Sequence, residues 1–242
     1  YVIDIRDYHR LLKVINITNV IKESSFTTIS SPAYREWLPK IDKYVLNHNM
    51  NVTTLYNLHD TKFNQSKRII ISYIGSLANY EENRDFINSL KNAKKFLLLF
   101  HGDGTINNLL DNYIKKFNID NVRIYGRYNR EMERDLYLES DLINMILYNR
   151  NINNKTCLSN RLYNSVLHGK PIIVFNGTYI AKLVERYNLG LVINSFDKVE
   201  DKINEYLQNF NYDLYESGRN LFFSSIVKDN NKFRDKVQEF LN

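Results

Sequence analysis

From Lys67 onward the chain alternates between two textures. Short apolar runs, IIISYIG (69–75), FLLLFHG (96–102), NVRIYG (121–126), DLINMIL (141–147), PIIVF (171–175) and GLVI (190–193), are separated by longer amphipathic stretches. The clearest of these are EENRDFINSLKNA (81–93), TINNLLDNYIKKF (105–117), NRLYNSVLHG (160–169) and TYIAKLVERYN (178–188). Strands rich in Ile, Leu and Val, each followed by a helix, predict a parallel sheet covered on both faces. With right-handed crossovers this becomes a Rossmann-like α/β domain, one parallel sheet of about six strands between residues 67 and 225.

Residues 1–66 have a different pattern: a strand at VIDI (2–5), a helix near YHRLLKVINITNVIKE (8–23), and strand-like pieces at FTTIS (26–30) and YVLNH (44–48). The polar stretch NLHDTKFNQSK (57–67) reads as a linker. The expected division is a small α/β unit over 1–62 and the Rossmann-like domain over 63–242. The last forty residues read as helical, clearest at 197–210 and 230–241. Phe233, Val237 and Leu241 recur at helical spacing, so the final helix is expected to pack back toward residues 1–60.

Composition narrows the class. With 242 residues, 43% of them hydrophobic, the chain can bury one or two packed cores. Three prolines and eight glycines exclude a fibrous or disordered chain. Cys157 is the single cysteine, which excludes an internal disulfide and points to a reducing, cytoplasmic setting. No run is long and apolar enough to span a membrane, and no signal peptide is visible. The chain opens on YVIDIRD without an initiator methionine, as a segment of a longer protein would. The net charge of +6 is dispersed. It describes either a solvated surface or one that meets anions, such as sugar diphosphates or acidic lipids at the inner membrane face.

Candidate chemistry lies at the turns, because open α/β sheets bind ligands beyond the carboxyl ends of their strands. Gly75 ends the first strand of the larger domain; it permits a sharp turn, and it also lets a phosphate approach the backbone. HGDGT (101–105) is either a G-x-G bend between strand and helix or a phosphate-binding loop, since it resembles the GGDGT signature of NAD kinases and lipid kinases. In TCLSNRLYNSVLHGKPIIVFNGTYIAKLVERYNLGLVIN (156–194), Thr156 or Ser159 can cap a helix whose free N–H groups offer an anion site. Arg161 sits in the first turn of that helix, where a cation opposes the helix dipole unless an anion is shared there. Asn164 lies one turn further on. Asp4 and Asp7 either cap the helix that follows them or face a cleft, and capping is the expected role.

This last long stretch resembles the NKLYEYLAAGKPVI-type segment of GT-B glycosyltransferases, especially family 4-like enzymes, and GTYIAKLVERYNLGLVI resembles its continuation. YIGSL (73–77) resembles the first strand and glycine turn of their donor-binding domain. VRIYGRYNREMERDLYLESDLINMILYN (122–149) resembles the run that follows, and TTISSPAYREWL (27–38) and VLNHN (45–49) look like the last strands of the acceptor domain. In this frame HGDGT is the turn after the second strand, and His101 and Asp103 are turn residues.

The resemblance implies a metal-independent glycosyltransferase, with no cofactor beyond a UDP- or GDP-linked sugar and with a glycan or lipid-linked acceptor in cell-surface polysaccharide synthesis. The absence of an Asp-x-Asp triplet agrees with it. Gly75, Ser76, Asn160 and Arg161 fall at the donor diphosphate, although the family often has Arg or Lys where this chain has Ser76. Gly126, Arg127, Tyr128 and Asn164 fall at the base and ribose. Tyr128 can stack on the base and Arg127 reach it or a phosphate, or the two form an exposed loop pair. Asn164 stands where the family commonly has Glu, and Thr156 where the other Glu of an E-x7-E pair would be, so that pair is missing. No catalytic base is assigned and no nucleic-acid partner is expected. The competing classes are a non-catalytic Rossmann-like binding domain and a GGDGT-type phosphotransferase.

Overall fold

The computed structural model describes residues 1–50, 58–63 and 68–242. The smaller unit is a parallel sheet of β1 (Val2–Ile5), β2 (Phe26–Ile29) and β3 (Tyr44–Leu46), in that order, with α1 (Ile17–Glu23) on the β1–β2 crossover. Its core is Ile5, Ile21, Ile29, Tyr34 and Leu38. The helix expected over 8–23 is divided. A 3-10 turn spans Arg10–Lys13, and the α-helix starts only after Asn16, whose side chain accepts from the Asn19 amide at 3.2 Å. That local capping bond ends the preceding turn and starts the helix anew.

The larger unit runs β4 (Ile69–Ile74), α2 (Tyr80–Leu90), β5 (Phe96–His101), α3 (Asn107–Lys116), β6 (Val122–Gly126), α4 (Glu133–Glu139) and β7 (Leu142–Asn144). It continues through α5 (Ile152–Thr156), α6 (Asn160–Leu167), β8 (Ile172–Phe175), α7 (Tyr179–Tyr187), β9 (Gly190–Ile193), α8 (Val199–Gln208) and α9 (Tyr212–Leu241). Its six strands are all parallel, in the order β6-β5-β4-β7-β8-β9. The expected parallel α/β sheet is therefore present, with one strand shorter than its apolar run. Asn144 Oδ1 accepts from the Ile146 amide at 3.0 Å, a local turn that ends β7 early.

Burial on both faces explains the unbroken apolar runs. Ile173 of β8 belongs to the core cluster that holds Phe86, Leu90 and Leu110 on one face of the sheet, while its neighbours Ile172 and Val174 belong to the cluster of Leu162, Val184 and Phe222 on the other. Each such side chain contributes about 1.5–3 kcal/mol by leaving water.

The 30-residue α9 returns across the molecule to β3. Phe240 meets Phe26 edge-on at 6.1 Å, and Asn230 Oδ1 accepts from the His48 amide at 3.0 Å. His48 also joins the Tyr163 hydroxyl at 2.8 Å and Asp229 at 3.3 Å. Phe233 and Val237 are half-buried, but Leu241 is 76% exposed. The expected apolar contact at 241 is replaced by that of Phe240, whose ring lies on the side of the helix that meets Phe26.

Residues 57 and 64–67 of the expected linker lie outside the described residues. The described part, 58–63, is held to the large unit. The His59 amide donates to Leu167 O at 3.0 Å, and buried Arg219 donates to His59 O at 2.9 Å. Among the described residues no helix is long and apolar enough to cross a membrane.

Candidate functional site

The strand order turns at β4. From there the chain builds outward through β5 to β6, then crosses back to place β7, β8 and β9 on the other side. The carboxyl ends of β4 and β7 therefore flank the topological switch point, where crossovers leave to opposite faces and a crevice opens.

Arg161 occupies this crevice. Ser159 caps α6, accepting from the Arg161 amide at 3.2 Å, so the helix start faces the strand ends. The Arg161 guanidinium lies 3.5 Å from the centre of the Tyr73 ring of β4 and donates to Asn144 O of β7 at 2.7 Å. It thereby bridges both strands of the switch point. Its Nε is buried and has no hydrogen-bond partner among the described residues. The Tyr73 hydroxyl donates to Ser76 O at 2.9 Å, which ties the same cluster to the glycine turn. On the α2 side, Asn144 Nδ2 donates to Asn83 Oδ1 at 3.2 Å.

The turn after β4 lies directly on the turn after β5. The Gly75 amide donates to His101 O at 2.9 Å, and the Leu77 amide to Asp103 O at 3.1 Å. Gly102 has φ +142, and a Cβ there would lie 1.7 Å from Gly75 O. No other residue fits at 102, so the first glycine of HGDGT is explained by backbone packing. Gly75 has φ +127 with open space around it, so only its backbone conformation requires glycine. The Asp103 carboxylate accepts from the Gly104 amide at 3.0 Å, and the His101 ring stacks on Tyr125 at 4.8 Å.

Gly75, Ser76, Gly102, Asp103, Arg127 and Tyr128 line a cavity of about 260 Å³ over the ends of β4, β5 and β6. The structure thus brings Gly75, Ser76, Arg127 and Tyr128 together. Arg127 is exposed, whereas Tyr128 leans on the cluster of Ile74, Leu136, Tyr137 and Ile143. Burial first, and then the negative charge of Glu133, push the Tyr128 phenol up to about 12, with Arg161 acting the other way. Tyr128 is a neutral hydrogen-bond donor at neutral pH. Gly126 has φ +72 and accepts through its carbonyl from the Gly102 amide at 2.7 Å. Asn160 opens α6 and is exposed.

Other expected placements are revised. Asn164 is tied to α4, because its Nδ2 donates to Glu133 Oε1 at 2.8 Å. Thr156 is buried in α5, a separate helix. It accepts from Trp37 Nε1 at 3.2 Å, and its carbonyl accepts from Ser31 Oγ at 2.5 Å. It fastens the small unit to the large one. Neither Asp4 nor Asp7 caps a helix. Asp4 accepts from Arg6 Nε at 2.8 Å and Thr28 Oγ1 at 2.7 Å, while His9 and Asn16 fill the two cap positions. Burial, offset by a hydrogen bond from Tyr34, raises the pKa of the Asp7 carboxyl.

Tyr73, Asn144 and Glu133 belong to the site and were absent from the sequence expectations. Their roles depend on which strands lie side by side, and a single run of sequence carries no signal of that.

No protein-family model matches the chain, and no curated protein matches it in sequence. Solved structures do match. The structure of Alr3699/HepE from Anabaena in complex with UDP and glucose superposes with a TM-score of 0.73 at 12% identity, over 98% of this chain and 71% of that one. Sucrose-phosphate synthase from Thermosynechococcus elongatus gives 0.71 at 11% identity, over 93% and 60% of the two chains. A glycosyltransferase from Rickettsia africae gives 0.68 at 14% identity, over 99% and 69%. What is shared at such low identity is the fold, and this chain has the GT-B glycosyltransferase fold.

Proposed function

We propose that this chain is the donor-binding part of a metal-independent glycosyltransferase that uses a UDP- or GDP-linked sugar. The observation that carries the reading is Arg161, stacked on Tyr73 and held by Asn144 O at the switch point between β4 and β7. The chemical problem in glycosyl transfer is the leaving nucleoside diphosphate, which gains negative charge as the glycosidic bond to it breaks. A fixed guanidinium and the free N–H groups at the start of α6 are suited to that charge, and being pre-oriented they need little rearrangement. Gly75 and Ser76 cradle the diphosphate from the other side. Arg127 and Tyr128 in the 260 Å³ cavity take the base. The crowding of Gly102 against Gly75 accounts for the first glycine of HGDGT without a kinase-type phosphate loop.

The acceptor approaches from the side of residues 1–50, where Tyr8, His9 and Arg10 face residues 151–154 across a cavity of about 630 Å³. A glycan or lipid-linked acceptor of a cell-surface polysaccharide is the class we favour, because one solved structure of this fold is a lipopolysaccharide outer core galactosyltransferase. On this reading the protein works in the cytoplasm, and its net charge of +6 supports a peripheral contact with acidic membrane lipids at the inner face. Such binding to anionic vesicles should fall as salt is raised; salt-resistant co-sedimentation would contradict it.

Isothermal titration with UDP, GDP, ADP and ATP–magnesium tests the function. Binding of UDP or GDP is the expected result. A preference for ATP–magnesium would favour a phosphotransferase, and binding of none of them a non-catalytic domain.

A further inference from the structure

The 3-10 turn at Arg10–Lys13 and the residues just after it present apolar side chains to water. Leu11 is 62% exposed, Val14 82% and Ile15 46%. The turn is wound on itself. The Leu11 amide donates to His9 Nδ1 at 3.2 Å, the Val14 amide to Leu11 O at 3.0 Å and the Ile15 amide to the same carbonyl at 3.1 Å. A folded turn therefore holds the three side chains outward, while Ile17 and Ile21 further along join the core of the small unit. Single exposed aliphatic residues are ordinary on a protein surface, but three on one tight turn mark a contact. The same segment is cationic. Arg10, Lys13 and Lys22 fall within residues 8–22, a stretch with no Asp or Glu. Arg10 also lines the cavity of about 630 Å³, with Tyr8, His9 and residues 151–154.

We propose that this turn is where the protein docks on a bilayer rich in anionic lipid, with Leu11, Val14 and Ile15 entering the boundary between headgroups and acyl chains. The inference rests on the peripheral membrane contact of the proposed function and gives that contact an address; it does not depend on the donor site. An apolar tip in a cationic, acid-free segment matches a lipid surface, where buried apolar area and attraction to anionic lipids add. A second copy of the chain fits less well, because a two-fold contact through this turn would set the same cations against each other. Arg10 belongs both to the segment and to the cavity wall, so docking places the cavity at the lipid surface. A lipid-linked acceptor then reaches the cavity without leaving the bilayer. Of the two acceptor classes, the lipid-linked one fits this arrangement.

The test is co-sedimentation at low salt with vesicles of phosphatidylglycerol and phosphatidylcholine in equal parts. It compares the parent, the triple variant Leu11→Ser/Val14→Ser/Ile15→Ser, Arg10→Gln and Lys22→Gln, each checked for folding by circular dichroism. The triple variant should bind the vesicles roughly 10-fold or more weakly than the parent, with its titration by UDP unchanged. Each charge variant should bind roughly 5-fold more weakly. The fluorescence of Val14→Trp should shift to the blue when these vesicles are added, and not with phosphatidylcholine alone. Leu221→Trp, at a position of α9 that is 61% exposed, should shift with neither. Four results would each overturn the proposal: a folded triple variant that binds as the parent does, a parent that binds no vesicles, a shift at 221 as large as at 14, or an equal shift at 14 with phosphatidylcholine alone. So would a parent that self-associates through the turn, seen as a sedimentation-velocity mass that the triple variant lowers while vesicle binding stays the same. Vesicle docking without any UDP or GDP binding would remove the donor-site reading and leave this one standing.

Discussion

Arg219→Ala is expected to lower the unfolding free energy by about 3–5 kcal/mol, a large part of the roughly 5–15 kcal/mol that holds an ordinary domain together. Arg219 is the bulkiest fully buried side chain among the described residues, and its donors are all engaged. Nε donates to Val166 O at 2.8 Å, and Nη2 to Leu167 O at 3.2 Å and His59 O at 2.9 Å. Nη1 donates to Glu216 at 2.6 and 2.7 Å and to Thr61 Oγ1 at 3.2 Å. Two of these acceptors are carbonyls at the end of α6, where no intrahelical partner exists. Truncation removes every one of these bonds at once and leaves a void. Arg219→Lys should recover only part of the loss, because an ammonium cannot present the planar fork. Urea unfolding midpoints measure both; an unchanged midpoint for Arg219→Ala would contradict the assignment. The consequence reaches the site, since α6 carries Arg161 at its other end.

Arg161→Ala should weaken binding of UDP or GDP by about 10- to 100-fold, the equivalent of one charge-assisted contact of about 1.5–3 kcal/mol. Binding of the nucleoside alone should change little. Lysine at 161 keeps the charge but loses the flat contact with Tyr73, so it should restore affinity incompletely. Titration calorimetry with diphosphate and nucleoside separates these outcomes. Equal affinity of parent and Arg161→Ala for the diphosphate would place the phosphates elsewhere.

Much of this was legible in the sequence, for a physical reason. A strand buried on both faces must be apolar throughout, so the runs at 69–75, 96–102, 171–175 and 190–193 show themselves directly. The turns that follow them lie on one edge by geometry, and this is why Gly75, Ser76, Arg127 and Tyr128 could be named before the fold was known. What the sequence concealed depends on adjacency across the sheet. Nothing in the alternation of apolar and polar residues says that β4 neighbours β7, so Tyr73 and Asn144 give no sign of meeting Arg161. Side-chain hydrogen bonds to nearby backbone were equally hidden. Asn16 divides a helix and Asn144 shortens a strand, each through a single local bond. The resemblance puts Thr156 and Asn164 at the two places of a missing E-x7-E pair; in the structure α5 ends at 156 and α6 starts at 160, so the two lie on different helices.

The most direct measurement of the central claim is the structure of the protein with UDP bound. The account predicts the diphosphate against Gly75, Ser76 and the start of α6, within hydrogen-bond reach of the Arg161 guanidinium, and the base over Tyr128. A nucleotide bound elsewhere, with Arg161 still turned only to Asn144 and Tyr73, would contradict it.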